Sequence, residues 1–140
     1  MKAKKIWANL SVANVEKSRE FYQKLGFKSN ESHNSEELTS FLVGDDDFVI
    51  HFFEKERFKT SLEGEIADLT RGNEIMFTLS AESKDEVNKW VEQVKKVGGT
   101  IHFDPQKDHK DLYDKNEFYT CVFSDLDGHK FNVFFKEGMQ

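Results

Sequence analysis

Histidine is the side chain whose charge changes near neutral pH, and an asparagine amide offers a donor and an acceptor together. Two such residues stand inside stretches that otherwise read as strand. His51 lies in Phe48-Val49-Ile50-His51-Phe52-Phe53, and Asn132 lies in Lys130-Phe131-Asn132-Val133-Phe134-Phe135. A buried amide without partners is costly, so what Asn132 faces bears directly on function. His51 could serve as a general base, as a ligand contact or as a hydrogen-bonded core histidine. His102 and His109 flank a charged stretch and read as surface residues, while His129 follows a turn. No Ser/His/Asp or Cys/His constellation, phosphate-cradling glycine loop or zinc-ligand spacing appears. No catalytic residue can be assigned on this basis.

The elements that must position these residues follow from periodicity. Ile6 to Val12 predicts a strand with Ile6, Ala8, Leu10 and Val12 on one face and Trp7, Asn9 and Ser11 on the other. Asn14 suits a helix N-cap, and Val15, Ser18, Phe21, Tyr22 and Leu25 recur at helical spacing up to Gly26. Phe27-Lys28-Ser29, Leu38 to Val43 and Phe48 to Phe53 complete a βαβββ unit. A charged connector, 54–73, holds a short helical stretch from Glu54 to Leu62. The pattern then returns: strand Ile75 to Ala81, capping box Ser83 and Glu86, and helix face Val87, Trp90, Val91, Val94 and Val97 ending at Gly98-Gly99. Strands follow at Thr100 to Phe103, Phe118 to Phe123 and His129 to Phe135, the last two joined by a turn at Asp127-Gly128. The chain is therefore an internal repeat, with modules over about 5–53 and 74–136 in one 1–140 domain. His51 and Asn132 occupy the same place in the fourth strand of each module. The class predicted is α+β: a curved, barrel-like mixed sheet with helices outside and a concave cleft.

Composition narrows the function classes. The net charge of −6 argues against a nucleic-acid partner, since phosphate binding needs clustered basic residues. Hydrophobic residues at 37% against 33% charged fit a chain with no membrane span. Fourteen phenylalanines against two tryptophans and three tyrosines predict a core, and any pocket, built from flat apolar rings. The single Cys121 makes no disulfide framework, and with no apolar leader after Met1-Lys2-Ala3-Lys4-Lys5 the cytoplasm is the expected setting.

One further pattern is specific. Asn9-Leu10-Ser11-Val12-Ala13-Asn14-Val15-Glu16-Lys17-Ser18, followed by Phe21-Tyr22 and Leu25-Gly26-Phe27, resembles the opening of the vicinal-oxygen-chelate superfamily. That superfamily includes glyoxalase I, bleomycin-resistance proteins and extradiol dioxygenases. Phe123-Ser124-Asp125-Leu126-Asp127-Gly128-His129 is similar to its last hairpin. The resemblance runs from about Ile6 to Phe135 and is nearest to the bacterial branch of predicted lactoylglutathione lyases.

The resemblance implies a divalent metal held by side chains of the first and fourth strands of each module, commonly His or Gln, Glu, His and Glu. Those positions fall here on Trp7, His51, Met76 and Asn132. Trp7 cannot ligate, Met76 offers a soft thioether and Asn132 a neutral carbonyl oxygen, which leaves His51. The expectation is a protein with no metal or other cofactor that holds a small molecule in its cleft, akin to the bleomycin-resistance type. The residues facing that molecule would be Trp7, Asn9, His51, Met76, Thr78 and Asn132. The alternative is a metal-dependent lyase or dioxygenase with a non-standard ligand set including His51 and Glu74; a third is a scaffold whose outer surface matters. The resemblance also implies a homodimer. Residues 104–116 could form a lid, although a solvated linker is the simpler reading.

Overall fold

The computed structural model describes residues 1–138. The chain divides into two compact units, Met1–Asp68 and Leu69 onward. Each repeats the same path.

The first unit runs β1 (Ala8–Val12), α1 (Val15–Lys24), β2 (Lys28–Ser29), β3 (Leu38–Val43), β4 (Phe48–Glu54) and α2 (Lys55–Leu62). Helix α1 begins where the Asn14 side chain accepts from Lys17 N at 3.0 Å, satisfying an orphan amide of the first turn. It ends before Gly26, whose φ of +93° any side chain would strain. Val15, Ser18, Phe21 and Tyr22 form its buried face. Tyr22 stacks on Phe52 at 4.6 Å and meets Phe41 at 5.5 Å, so one tyrosine ties the helix to two strands. The strand order is β1-β4-β3-β2, with β1 parallel to β4 and the remaining pairs antiparallel.

The second unit runs β5 (Met76–Ser80), α3 (Lys84–Lys96), β6 (Thr100–Phe103), α4 (Asp111–Lys115), β7 (Phe118–Ser124) and β8 (Lys130–Lys136), with strand order β5-β8-β7-β6. Ser83 Oγ accepts from Glu86 N at 3.1 Å, while the Glu86 carboxylate reaches back to Glu82 N at 3.0 Å, a capping box shifted by one residue at its return. Val87, Val91 and Val94 are fully buried beneath Phe123 and Phe131, whose rings stack at 5.2 Å and 7°. Cys121 is buried in the same unit, and desolvation pushes its thiol up to about 11.

The α+β class and the mixed sheets match the expectation, and each unit's sheet is open rather than closed into a barrel. Several element limits differ. The first strand starts at Ala8, not Ile6, because its pairing with β4 begins at Ala8↔Ile50, and Ile6 and Trp7 stand exposed ahead of it. β5 likewise starts at Met76, after Ile75. The last turn is wider than the Asp127-Gly128 pair. Asp125 Oδ1 accepts from Asp127 N at 3.0 Å and His129 N at 2.9 Å, and Oδ2 meets His129 Nδ1 at 2.8 Å. That clasp keeps His129 in the turn and starts β8 at Lys130. Gly128 inside it has φ of +100° and lies so close to Leu69 that a Cβ would come within 3.1 Å of the Leu69 Cβ. The charged stretch 104–116 contains the five-residue helix α4. No helix among the described residues is long and apolar enough to cross a membrane.

Candidate functional site

In each unit, one face of the sheet is covered by a helix and the other carries the polar strand residues. On the first unit's polar face, register places Asn9, His51 and Ser40 side by side on β1, β4 and β3. Ser40 Oγ accepts from Asn30 Nδ2 at 3.1 Å and lies 2.8 Å from His51 Nδ1. The Ser40 hydroxyl can give its proton to Nδ1 or accept one from it, so the other ring nitrogen of His51 is a donor in one tautomer and an acceptor in the other. Burial, and then the nearby His33, hold its imidazole below the usual histidine range, so it is neutral at pH 7.

Rings surround it. Trp7 meets His51 edge-on at 6.5 Å, Phe53 at 5.7 Å, and His33 lies tilted over it at 5.3 Å. His33 comes from the β2–β3 loop, and its Nδ1 is 2.9 Å from Ser32 Oγ. Arg19 of α1 holds the following segment: its guanidinium donates to Asn34 Oδ1 at 3.1 Å, Ser35 O at 2.6 Å and Leu38 O at 3.1 Å, and it also pairs with Glu16. A surface hollow of about 540 Å³ is lined by Glu16, Arg19, Asn34, Ser35 and Glu36. Because its arginine is committed to these internal partners, the hollow offers no available cation for an anion.

On the second unit's polar face, Thr78 and Asn132 are direct partners on β5 and β8. Thr78 Oγ1 donates to Asn132 Oδ1 at 2.6 Å, and Asn132 Nδ2 donates to Thr120 Oγ1 at 3.2 Å. Asn132 is 7% exposed, and these two bonds answer what its amide faces: a polar ladder across β5, β8 and β7. Met76 is the partner of Lys130 and stands half exposed on the same face.

The six residues predicted from sequence therefore fall into two groups of three. Trp7, Asn9 and His51 share one face of the first unit, and Met76, Thr78 and Asn132 share one face of the second. Glu74 precedes β5 and is exposed. Sequence reasoning missed His33, which lies in a loop without periodicity. His102 is exposed, as its surface reading expected, and its Nε2 is 2.9 Å from the buried Ser124 Oγ. His109 is a surface residue, flanked by Asp111 and Asp114 at 3.3 and 3.0 Å.

These side chains do not fit the metal that the fold implies. Trp7 has no lone pair to give, Met76 is a thioether, and the Asn132 oxygen already accepts from Thr78. His51 alone keeps a ring nitrogen that could ligate, and one good ligand does not hold an ion. Among the described residues no three His, Cys, Asp or Glu side chains are grouped to hold an ion.

Two βαβββ units, each with a parallel first-to-fourth strand pair and a helix on one face, define a recognisable α+β class. The family model for the Glyoxalase/Bleomycin resistance protein/Dioxygenase superfamily matches residues 6–133, and the chain belongs to that superfamily. Its structure is similar to a hypothetical protein, SA1046, from S. aureus, at 30% identity and a TM-score of 0.79, covering 96% of this chain and 94% of that one. It is also similar in fold to a glyoxalase-related enzyme from Fulvimarina pelagi (15% identity, TM-score 0.78, 96% and 89% covered). A third similar structure is the fosfomycin resistance protein FosX from Listeria monocytogenes, complexed with Mn(II) and sulfate (18%, 0.67, 99% and 94%). No curated protein matches the sequence.

Proposed function

We propose that this chain binds an organic small molecule, and does so without a metal at the positions its superfamily uses for one. The observation that carries the reading is the state of those four positions. The polar two, His51 and Asn132, are fixed by Ser40, Thr78 and Thr120, and the apolar two, Trp7 and Met76, stand 51% and 50% exposed. Exposed large apolar side chains beside oriented donors and acceptors are the ingredients of small-molecule recognition: apolar walls for affinity, a few polar groups for orientation. His51 supplies a ring nitrogen, Asn9 an exposed amide, and Trp7 a face for stacking. The same reading includes a homodimer, supported by the exposure of Ile6, Trp7, Ile75 and Met76. It also includes a reducing cytoplasmic setting, supported by the lone buried Cys121.

The test is a thermal-shift screen of planar and oxygen-rich metabolites, run with and without chelator, on protein purified without a metal-affinity step. Compounds that stabilise the protein should do so equally in chelator and should lose much of their effect in Trp7→Ala and His51→Leu. A stoichiometric ion that survives purification, with binding abolished by chelator, would refute the metal-independent reading. A monomer mass by light scattering at micromolar concentration would refute the dimer.

A further inference from the structure

The polar face of the second unit holds a lysine that makes no ion pair among the described residues. Lys130 opens β8, where its partners are Met76 on β5 and Ser124 on β7, and Ser124 in turn partners Thr100 on β6. One row therefore crosses all four strands. The register of β6 against β7 shifts between Ile101 and Phe103, and irregularities of this kind re-aim side chains. Here His102 is directed to the Ser124 hydroxyl, 2.9 Å from its Nε2.

Three lysines are half-buried: Lys59, Lys130 and Lys136. Lys59 pairs with Glu65 at 3.2 Å, and Lys136 lies over the Phe118 ring at 5.5 Å. Among the described residues Lys130 has neither a carboxylate in ion-pairing range nor a ring beneath it. A lysine can lay its stem on apolar surface and keep its ammonium in water, and that alone would predict nothing around the head group. Lys130 instead has donors for neighbours. In the tautomer where the Ser124 hydroxyl donates to His102 Nε2, the imidazole carries its proton on Nδ1 and offers a second N–H beside the ammonium. Burial, and then the Lys130 charge, hold His102 below the usual histidine range, so that N–H belongs to a neutral ring. The Thr100 hydroxyl is exposed in the same row, and half-exposed Met76 supplies an apolar surface on the other side of Lys130.

We propose that this row is an oxyanion subsite, in which Lys130 and His102 take the carboxylate or phosphoryl group of a small molecule whose apolar part lies over Met76. The inference rests on the small-molecule reading above and names the ligand class: an amphiphilic organic anion. Charge-assisted hydrogen bonds from an ammonium are among the stronger contacts a protein can offer such a group.

The experiment follows the histidine side-chain resonances while inorganic phosphate, phenyl phosphate, benzoate and neutral benzyl alcohol are titrated at constant ionic strength set with chloride. His102 should move saturably with the oxyanions, most tightly with one that also carries a ring, while surface His109 stays still. The phosphate and benzoate arms separate a phosphoryl from a carboxylate preference. Lys130→Met, which keeps the stem and removes the charge, should weaken phenyl phosphate or benzoate about ten- to a hundredfold, and His102→Gln by less. Unsaturable shifts that follow total ionic strength, or equal affinity in Lys130→Met, would overturn the subsite. A neutral compound from the thermal-shift screen that stabilises the protein while no oxyanion moves His102 would overturn the subsite and leave the small-molecule reading standing.

Discussion

Replacing Asn132 tests what the polar ladder contributes to stability. Asn132 is 7% exposed and makes two side-chain bonds, from Thr78 at 2.6 Å and to Thr120 at 3.2 Å. In Asn132→Leu both are lost, at about 1 kcal/mol each. Thr78 is exposed and returns to water without penalty. Thr120 is 2% exposed, but its hydroxyl keeps Cys121 O as an acceptor at 3.2 Å, so it is not orphaned. Against this, burying a leucine side chain of similar volume contributes about 1.5–3 kcal/mol. The terms nearly cancel, and Asn132→Leu should unfold within about 1 kcal/mol of wild type. Asn132→Ala loses the same bonds, gains little burial and leaves space, so it should cost about 2–3 kcal/mol. The assay is urea unfolding followed by Trp90 fluorescence in a Trp7→Phe background. Trp90 stacks on Phe123 at 6.1 Å, and the chain has only two tryptophans, so the signal reports the second unit. Midpoints can be compared if the m-value is unchanged. A leucine variant as unstable as the alanine variant would refute the account, because the amide would then be doing more than bridging two threonines.

Two other outcomes follow from titration. His51 is held below the usual histidine range in the folded protein, first by burial and then by His33, while the unfolded chain titrates near 6.5. The unfolded state therefore binds the proton first. Stability from this site is present above about pH 6.5 and is lost as pH falls from there through the folded value. Wild type should lose more of its urea midpoint between pH 7.5 and 5.5 than His51→Gln, and His33→Gln should raise the His51 titration midpoint read by NMR; no change in either would refute the coupling. Cys121, fully buried with its thiol raised to about 11, should be inert to a thiol reagent at pH 8, where about one thiol in a thousand is ionised, and should react only on unfolding. Reaction at the rate of an exposed cysteine would contradict its burial.

Much of this architecture is written locally. Leu38–Val43 and Thr100–Phe103 have the limits their alternation predicts, and both long helices begin at Asn14 and Ser83 as the capping chemistry requires. What escaped depends on partners distant in sequence. Trp7 alternates correctly with Asn9, yet the strand starts later because pairing to β4 begins at Ala8. Asp127-Gly128 carries the turn signal, but the turn is set by Asp125, whose carboxylate reaches a backbone amide and a ring four residues on. Helix α4 lies in a charged stretch with no apolar period, held where Tyr113 packs on Phe103 at 5.1 Å. For the site, the faces of Asn9, His51, Thr78 and Asn132 were legible from period two alone. His33 was not, since a loop residue reaches His51 through the Arg19 tether, and neither was the pairing of His102 with Ser124, which depends on an irregularity in register.

The parallel pairing of the first and last strands within each unit has a kinetic side. Strands β3 and β4, like β7 and β8, are neighbours in sequence and can zip from their own turns, whereas Ala8 must find Ile50 and Met76 must find Lys130 across nearly a whole unit. Closing so large a loop before any contact rewards it is the slow part of assembling such a sheet. β1 and β5 would then be the last strands added and, as edge strands bonded on one side within their sheets, the first to fray. They also carry Asn9 and Met76, with Trp7 just ahead. A contact that held either edge strand would secure the part of its unit that the chain itself holds least firmly, and amide exchange should therefore slow first in the strand so held.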